Sequence, residues 1–183
     1  GVGTGLMRGS LYVDRTGLFH GDLIVATTAG EVWRMDGSGT KTMIASTGVH
    51  LEGLITVPND PGTYGPLAGK IIAGAEGTGD MYVIDSSGTF TTETLTWSNG
   101  AVIRIEDIDL ISGNENFFGM AFAQNSIYGS AAADFAGIVG DILLTQEFFG
   151  GTGGSTGLAR LFWNGTSLET EAIDVVYAPG SAA

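Results

Sequence analysis

An all-β fold of repeated four-stranded antiparallel sheets is what this 183-residue sequence predicts, and three observations predict it. Its 31 glycines lie scattered between short apolar runs with no Gly-X-Y period, against only 4 prolines, which implies frequent turns and excludes a collagen-like chain. Three phrases recur in the same order along the chain. No window carries apolar residues at i, i+3 and i+4 over three turns, which excludes a helical repeat.

The first phrase is a Gly followed by a large apolar residue: Gly5-Leu6, Gly53-Leu54 and Gly119-Met120. The second is a Gly, a polar residue and a β run: Gly21-Asp22-Leu23-Ile24-Val25, Gly69-Lys70-Ile71-Ile72-Ala73 and Gly140-Asp141-Ile142-Leu143-Leu144. The third is an apolar strand running into a turn, as in Met81-Tyr82-Val83-Ile84-Asp85-Ser86-Ser87-Gly88. First and second phrases stand 16 residues apart in copies one and two and 21 apart in copy three. The extra residues of copy three fall at 126–135, with a short helical turn expected around Ala132 and Asp134, and in a long inner hairpin at 150–155. Insertions confined to the gaps between phrases are loop variation on a fixed unit.

Copy two is the clearest. Strands are expected at 54–57, 70–75, 81–85 and 89–95, separated by Pro58-Asn59-Asp60-Pro61-Gly62, by Gly77-Thr78-Gly79 and by Asp85-Ser86-Ser87-Gly88. The Thr-rich alternation of the fourth suits a half-exposed outer strand, whereas Leu23-Ile24-Val25-Ala26 and Ile142-Leu143-Leu144 read as inner strands buried on both faces. Asn164-Gly165-Thr166 fits a glycosylation acceptor, and also the tight turn of the third copy, which suffices to explain it.

Units of this length with four antiparallel strands match the blades of a β-propeller. The sequence therefore reads as one domain, 1–183, with blade-like repeats at about 5–47, 53–96 and 119–173 and an acidic connecting segment at 97–118. Propellers typically need at least about four blades to close a ring, and open sheet edges invite pairing. The expectation is that the three blades are part of a larger, six-bladed propeller or are completed by another chain. Extra strands from 97–111 closing a compact stack are the third arrangement open to the sequence.

Twenty acidic residues against 7 basic ones give a formal charge of −13, the opposite of what nucleic acid or an anionic membrane surface requires. The chain contains no cysteine, which removes disulfides, thiolate catalysis and iron–sulfur chemistry. No run reaches the roughly 18 apolar residues of a membrane span. The Gly1-Val2-Gly3 start is expected to be a processed or truncated N-terminus.

The candidate metal ligands are Glu52, Glu76, Asp107, Asp109 and Glu147, and the cation their oxygens would favour is Ca²⁺. Glu52 opens the first strand of copy two, the strand that lines a propeller's channel, and the corresponding residues are Thr4 and Phe118. Glu76 and Glu147 follow the second strands of copies two and three, so with Glu52 they could converge at one rim. If 104–110 is a strand, alternation puts Asp107 and Asp109 on one face and Glu106 on the other, with Asn114, Glu115 and Asn116 nearby. No catalytic motif is present: Gly-x-Ser-x-Gly is missing, and the two histidines stand in no zinc-protease spacing. The Gly-rich stretch 151–157 lacks the Lys of a phosphate loop and reads as a hairpin.

Leu51-Glu52-Gly53-Leu54, Gly69-Lys70-Ile71-Ile72 and Tyr82-Val83-Ile84-Asp85 resemble six-bladed propellers of the NHL and gluconolactonase-like (SMP-30-like) kind. The stretch from Ile105-Glu106-Asp107 through Phe118-Gly119 to Thr145-Gln146-Glu147 is similar to propeller-like domains of bacterial exported proteins, some with a C-terminal PEP sorting tail. The first resemblance implies a divalent metal held in the channel by a Glu, an Asn and an Asp, of which only Glu52 has a comparable place. The expected function is an extracellular or periplasmic, non-catalytic binding or structural module, Ca²⁺-stabilised, with a protein or carbohydrate ligand. The alternatives are a metal-dependent lactonase or esterase-type hydrolase, and a subunit of an extracellular filament self-associating through open sheet edges.

Overall fold

The computed structural model describes residues 11–121, 125–146 and 155–177. Three four-stranded antiparallel sheets follow one another along the chain. The first is β1 (Leu11–Val13), β2 (Leu23–Ala26), β3 (Glu31–Met35) and β4 (Lys41–Ser46), paired in that order. The second is β5 (Glu52–Thr56), β6 (Ile71–Ala75), β7 (Asp80–Ile84) and β8 (Phe90–Thr94). The third begins at β9 (Asp107–Leu110). A separate hairpin, β10 (Phe117–Ala121) with β11 (Ser126–Ser130), and a 3₁₀ segment at Ala132–Ile138 intervene before β12 (Ile142–Gln146), β13 (Ser155–Trp163) and β14 (Leu168–Tyr177) complete the sheet in the order β9-β12-β13-β14.

The middle sheet explains why inner strands read as continuous apolar runs. Successive side chains leave a strand on opposite faces, and both faces here are covered. Ile71, Ala73 and Ala75 of β6 pack with Ile24, Val32 and Phe19 of the first sheet and its loops. Ile72 of the same strand, with Met81, Val83 and Ile55, packs with Ile108, Ile142, Leu144 and Leu161 of the third. The outermost strand β8 is exposed at all five positions, further than the half-exposed strand its Thr-rich alternation suggests.

Local chemistry forms the turns. Asp36 Oδ1 accepts from Ser38 N, Ser38 Oγ and Thr40 N at 2.6–2.9 Å, and Asp85 Oδ1 accepts from Ser87 N, Ser87 Oγ and Thr89 N at 2.6–3.0 Å. Gly39 and Gly88 close these two turns at φ of 84° and 86°. Asn164 takes the aspartate's part between β13 and β14, accepting from Thr166 N and Ser167 N at 2.8 and 2.9 Å. The Asx residue satisfies backbone donors that the turn would leave unpaired.

Two expectations are corrected. The segment 97–118 is not a mere connector: Trp97, Ile103, Ile105, Ile108 and Ile111 are all buried, and β9 within it is the inner strand of the third sheet. Gly119-Met120 accordingly does not open that sheet but lies in the inserted hairpin. The physical reason is a shift of parity. Apolar side chains run inward at 103 and 105, two polar residues intervene, and the inward series resumes at 108, so the strand lacks the unbroken alternation of the others. The expected helical turn near 132–134 is present as the 3₁₀ segment, with Phe135 buried beneath it.

The loop after β1 is organised by Asp14, which is 4% exposed. Desolvation alone raises its pKa. The side-chain and backbone hydrogen bonds from Thr16, and those from Gly21 and Phe19, outweigh that and bring it to about 2. A folded-state pKa below the unfolded value near 3.8 contributes stability that is present above pH 4 and is lost as pH falls towards 2. Asp14→Asn is therefore expected to cost about 2 kcal/mol at pH 7, with the gap to wild type closing below pH 3 in urea melts. A gap independent of pH would assign the effect to packing.

Candidate metal centre

The inner strands β5 and β9 of adjacent sheets meet at a point where two glycines clear the space. A Cβ on Gly53 would lie 2.5 Å from Asp107 Cα, and one on Gly74 would lie 2.6 Å from Ile105 Cγ2. Gly53 also carries a φ of 26° and interrupts the β5–β6 register, so that Glu52 stands opposite Gly74 and Leu54 opposite Ala73. This bulge sends the backbone of 105–107 directly across the start of β5.

Three carboxylates converge there. Antiparallel pairing puts the start of β5 at the same end of the sheet as the end of β6, so Glu52 and Glu76, the first residue past β6, are neighbours. Glu106 arrives from the third sheet as the residue before β9. Oxygens of Glu52, Glu76 and Glu106 lie within 4.8 Å of one another, with Glu52 buried and the other two half-buried. Oxygens about 2.4 Å from a common Ca²⁺ are separated by no more than about 4.8 Å, so this donor set fits one hard cation.

The surroundings hold the cluster in shape. Arg104 Nη1 donates to the backbone oxygens of Glu76 and Gly77, both at 2.9 Å, fixing the β6–β7 turn. Buried Gln146 accepts at Oε1 from Arg104 N at 2.7 Å and from Trp97 Nε1 at 3.1 Å. His50 Nε2 stands 3.5 Å from Glu52 Oε1, beyond ordinary hydrogen-bond length, and is a buried atom without a hydrogen-bond partner.

The structure thus brings together Glu52 and Glu76 of the expected ligands and adds Glu106. Asp107 and Asp109 share the opposite, outward face of β9, and each accepts a hydrogen bond from the amide of the residue after it, at 2.9 and 2.8 Å. Both are pushed up from the usual aspartate pKa, first by desolvation, against which those amide bonds act. Glu115 pairs with Arg15 at 3.2 Å, and Asn116 Oδ1 accepts from Ala132 N at 3.0 Å, so these two serve loop structure. Glu147 lies outside the described residues. The signal for Glu106 was in the sequence, since alternation separates it from Asp107 and Asp109; its convergence with Glu52 was not.

No protein-family model matches the chain, and no curated protein matches it. Among solved structures it is similar to selenomethionine-substituted virginiamycin B lyase from Staphylococcus aureus, at 13% sequence identity and a TM-score of 0.51. The match covers 92% of this chain and 42% of that one, so the chain spans less than half the length of that protein. That neighbour is a β-propeller, and the three sheets here are blades of the same architecture. Among the described residues, no helix is long and apolar enough to cross a membrane.

Proposed function

We propose that the chain is a cation-stabilised β-propeller module with a binding or structural role outside the cytoplasm. The observation that carries this reading is the convergence of Glu52, Glu76 and Glu106 from two adjacent sheets. Ionised carboxylates this close repel one another, and a divalent ion between them replaces repulsion with attraction. The all-oxygen set favours Ca²⁺ over the transition metals that prefer nitrogen or sulfur. Such an ion would tie β5 and the β6–β7 turn to the approach to β9, cross-linking two blades at their inner strands. The chain's resemblance to exported proteins supports the location.

Calcium titration followed by thermal melting tests it. At 100 times its dissociation constant, Ca²⁺ should stabilise the chain by about 2.7 kcal/mol. Glu106→Gln should abolish that gain. A calcium response that survives both Glu106→Gln and Glu52→Gln would sink the proposal.

A second reading, a metal-dependent hydrolase of the lactonase or esterase type, is favoured by one observation. Glu106 also lines an open cleft of about 450 Å³, which would give a bound cation a side from which to polarise a carbonyl.

A further inference from the structure

The same cleft carries a further inference, which shares Glu106 with the candidate metal centre. It lies between the inserted β10–β11 hairpin and the third sheet and is lined by Phe118, Met120, Leu158, Gln146, Glu106 and Asp107, among others. Its volume of about 450 Å³ is within the range of small-molecule sites.

The hairpin presents Phe118 and Met120 to this space. Phe118 and Met120 are each 72% exposed, and the pairing of Met120 with Ile127 and of Phe118 with Gly129 puts the three apolar side chains on one face of the ribbon. Gly129 is bare for a reason: a Cβ there would meet Phe118 Cε1 at 2.8 Å, so its absence lets the phenyl ring lie across the partner strand.

The polar side of the cleft has one sign. Among the described residues that line it, Glu106 and Asp107 carry charge, and none is a Lys, Arg or His. Asp107 is outside the carboxylate triad, so a cation held by Glu52, Glu76 and Glu106 leaves this negative charge in place. An anionic ligand is therefore opposed. A carboxylate beside an aromatic face recognises an ammonium group through Coulomb attraction and the ring's quadrupole together.

We propose that this cleft binds a small organic ammonium with an apolar body, its charge against Asp107 and Glu106 and its body against Phe118, Met120 and Leu158.

The probe is phenethylammonium, titrated into the intact chain by ligand-observed NMR beside 2-phenylethanol and phenylacetate, which keep the ring and change the charge. Saturable binding of the ammonium is expected, about tenfold tighter than the alcohol and weakened by salt, with no binding of phenylacetate. Asp107→Asn and Met120→Ser should each weaken the ammonium about tenfold. Both are exposed substitutions, and unchanged melting curves would show that the fold is intact. Equal binding of phenylacetate, absence of saturable ammonium binding, or an Asp107→Asn variant that binds as wild type would each overturn the proposal. Asp107→Asn should keep the calcium response, and Glu106→Gln should lose it, so failure of the cleft and failure of the metal centre give different results.

Discussion

Gly53→Ala is expected to destabilise the chain by about 3 kcal/mol and to weaken its calcium response in the same stroke. The new methyl would lie 2.5 Å from Asp107 Cα and 2.8 Å from Asp107 C and Ile108 N, all of them backbone atoms that no rotamer change can move. Relief requires β5 and β9 to part, which opens the core between the second and third sheets and draws Glu106 away from Glu52. The φ of 26° adds backbone strain for any residue with a Cβ. A fall in melting temperature of roughly 6–12 °C is expected for a chain of this length. Gly17→Ala is the control: its φ is also positive, at 76°, but nothing lies within 4 Å of the added methyl. It should cost about 1 kcal/mol, the backbone contribution alone. Equal losses in the two variants would mean that the inner strands are not in direct contact.

Trp97→Ala is expected to cost about 3–5 kcal/mol in urea or guanidinium unfolding. The indole is 4% exposed and belongs to the core shared by the second and third sheets, beside Ile103 and Ile105. Its removal leaves a cavity, and it takes from buried Gln146 Oε1 one of two donors, leaving Arg104 N alone. Trp97→Phe keeps a ring in the core and removes the N–H, so the difference between the two variants separates packing from the hydrogen bond, worth about 1 kcal/mol. A connecting segment on the surface would tolerate either change within about 0.5 kcal/mol, and that outcome would exclude the core role of residues 97–111.

These two positions also mark where sequence reading succeeded and where it stopped. The strands of copy two were legible within one or two residues: the expected runs 54–57, 70–75, 81–85 and 89–95 are observed as Glu52–Thr56, Ile71–Ala75, Asp80–Ile84 and Phe90–Thr94. The helix turn Pro61–Tyr64 inside the expected loop is capped by Asp60, whose Oδ1 accepts from Gly62 N at 3.0 Å, a feature the Asp-Pro-Gly signal carries only as a turn. Copy three was misread because its hairpin insertion offers a Gly-Met phrase that imitates the opening of a blade, while the true inner strand is short and acidic. Charge made β9 look like a connector. Its one buried residue, Ile108, packs into the core shared with the middle sheet, half-buried Leu110 packs against the same core, and the outward positions carry Asp107 and Asp109.

For the candidate site, Glu52 and Glu76 were legible because a single hairpin, β5 with β6, sets their proximity through local pairing. Glu106 joins them across a gap of 30 residues from Glu76, and only the packing of one blade on the next decides that. Gly53 illustrates the division. In the sequence it is a marker of the repeat. In the fold it is the missing side chain that lets β9 cross β5. The sequence by itself determined the four-stranded units, their turns and their two-faced burial, because strand period and Asx-turn chemistry act over a few residues. The inner strand of the third blade and the three-carboxylate cluster were decided by tertiary structure alone, because both depend on how closely two distant backbones can approach.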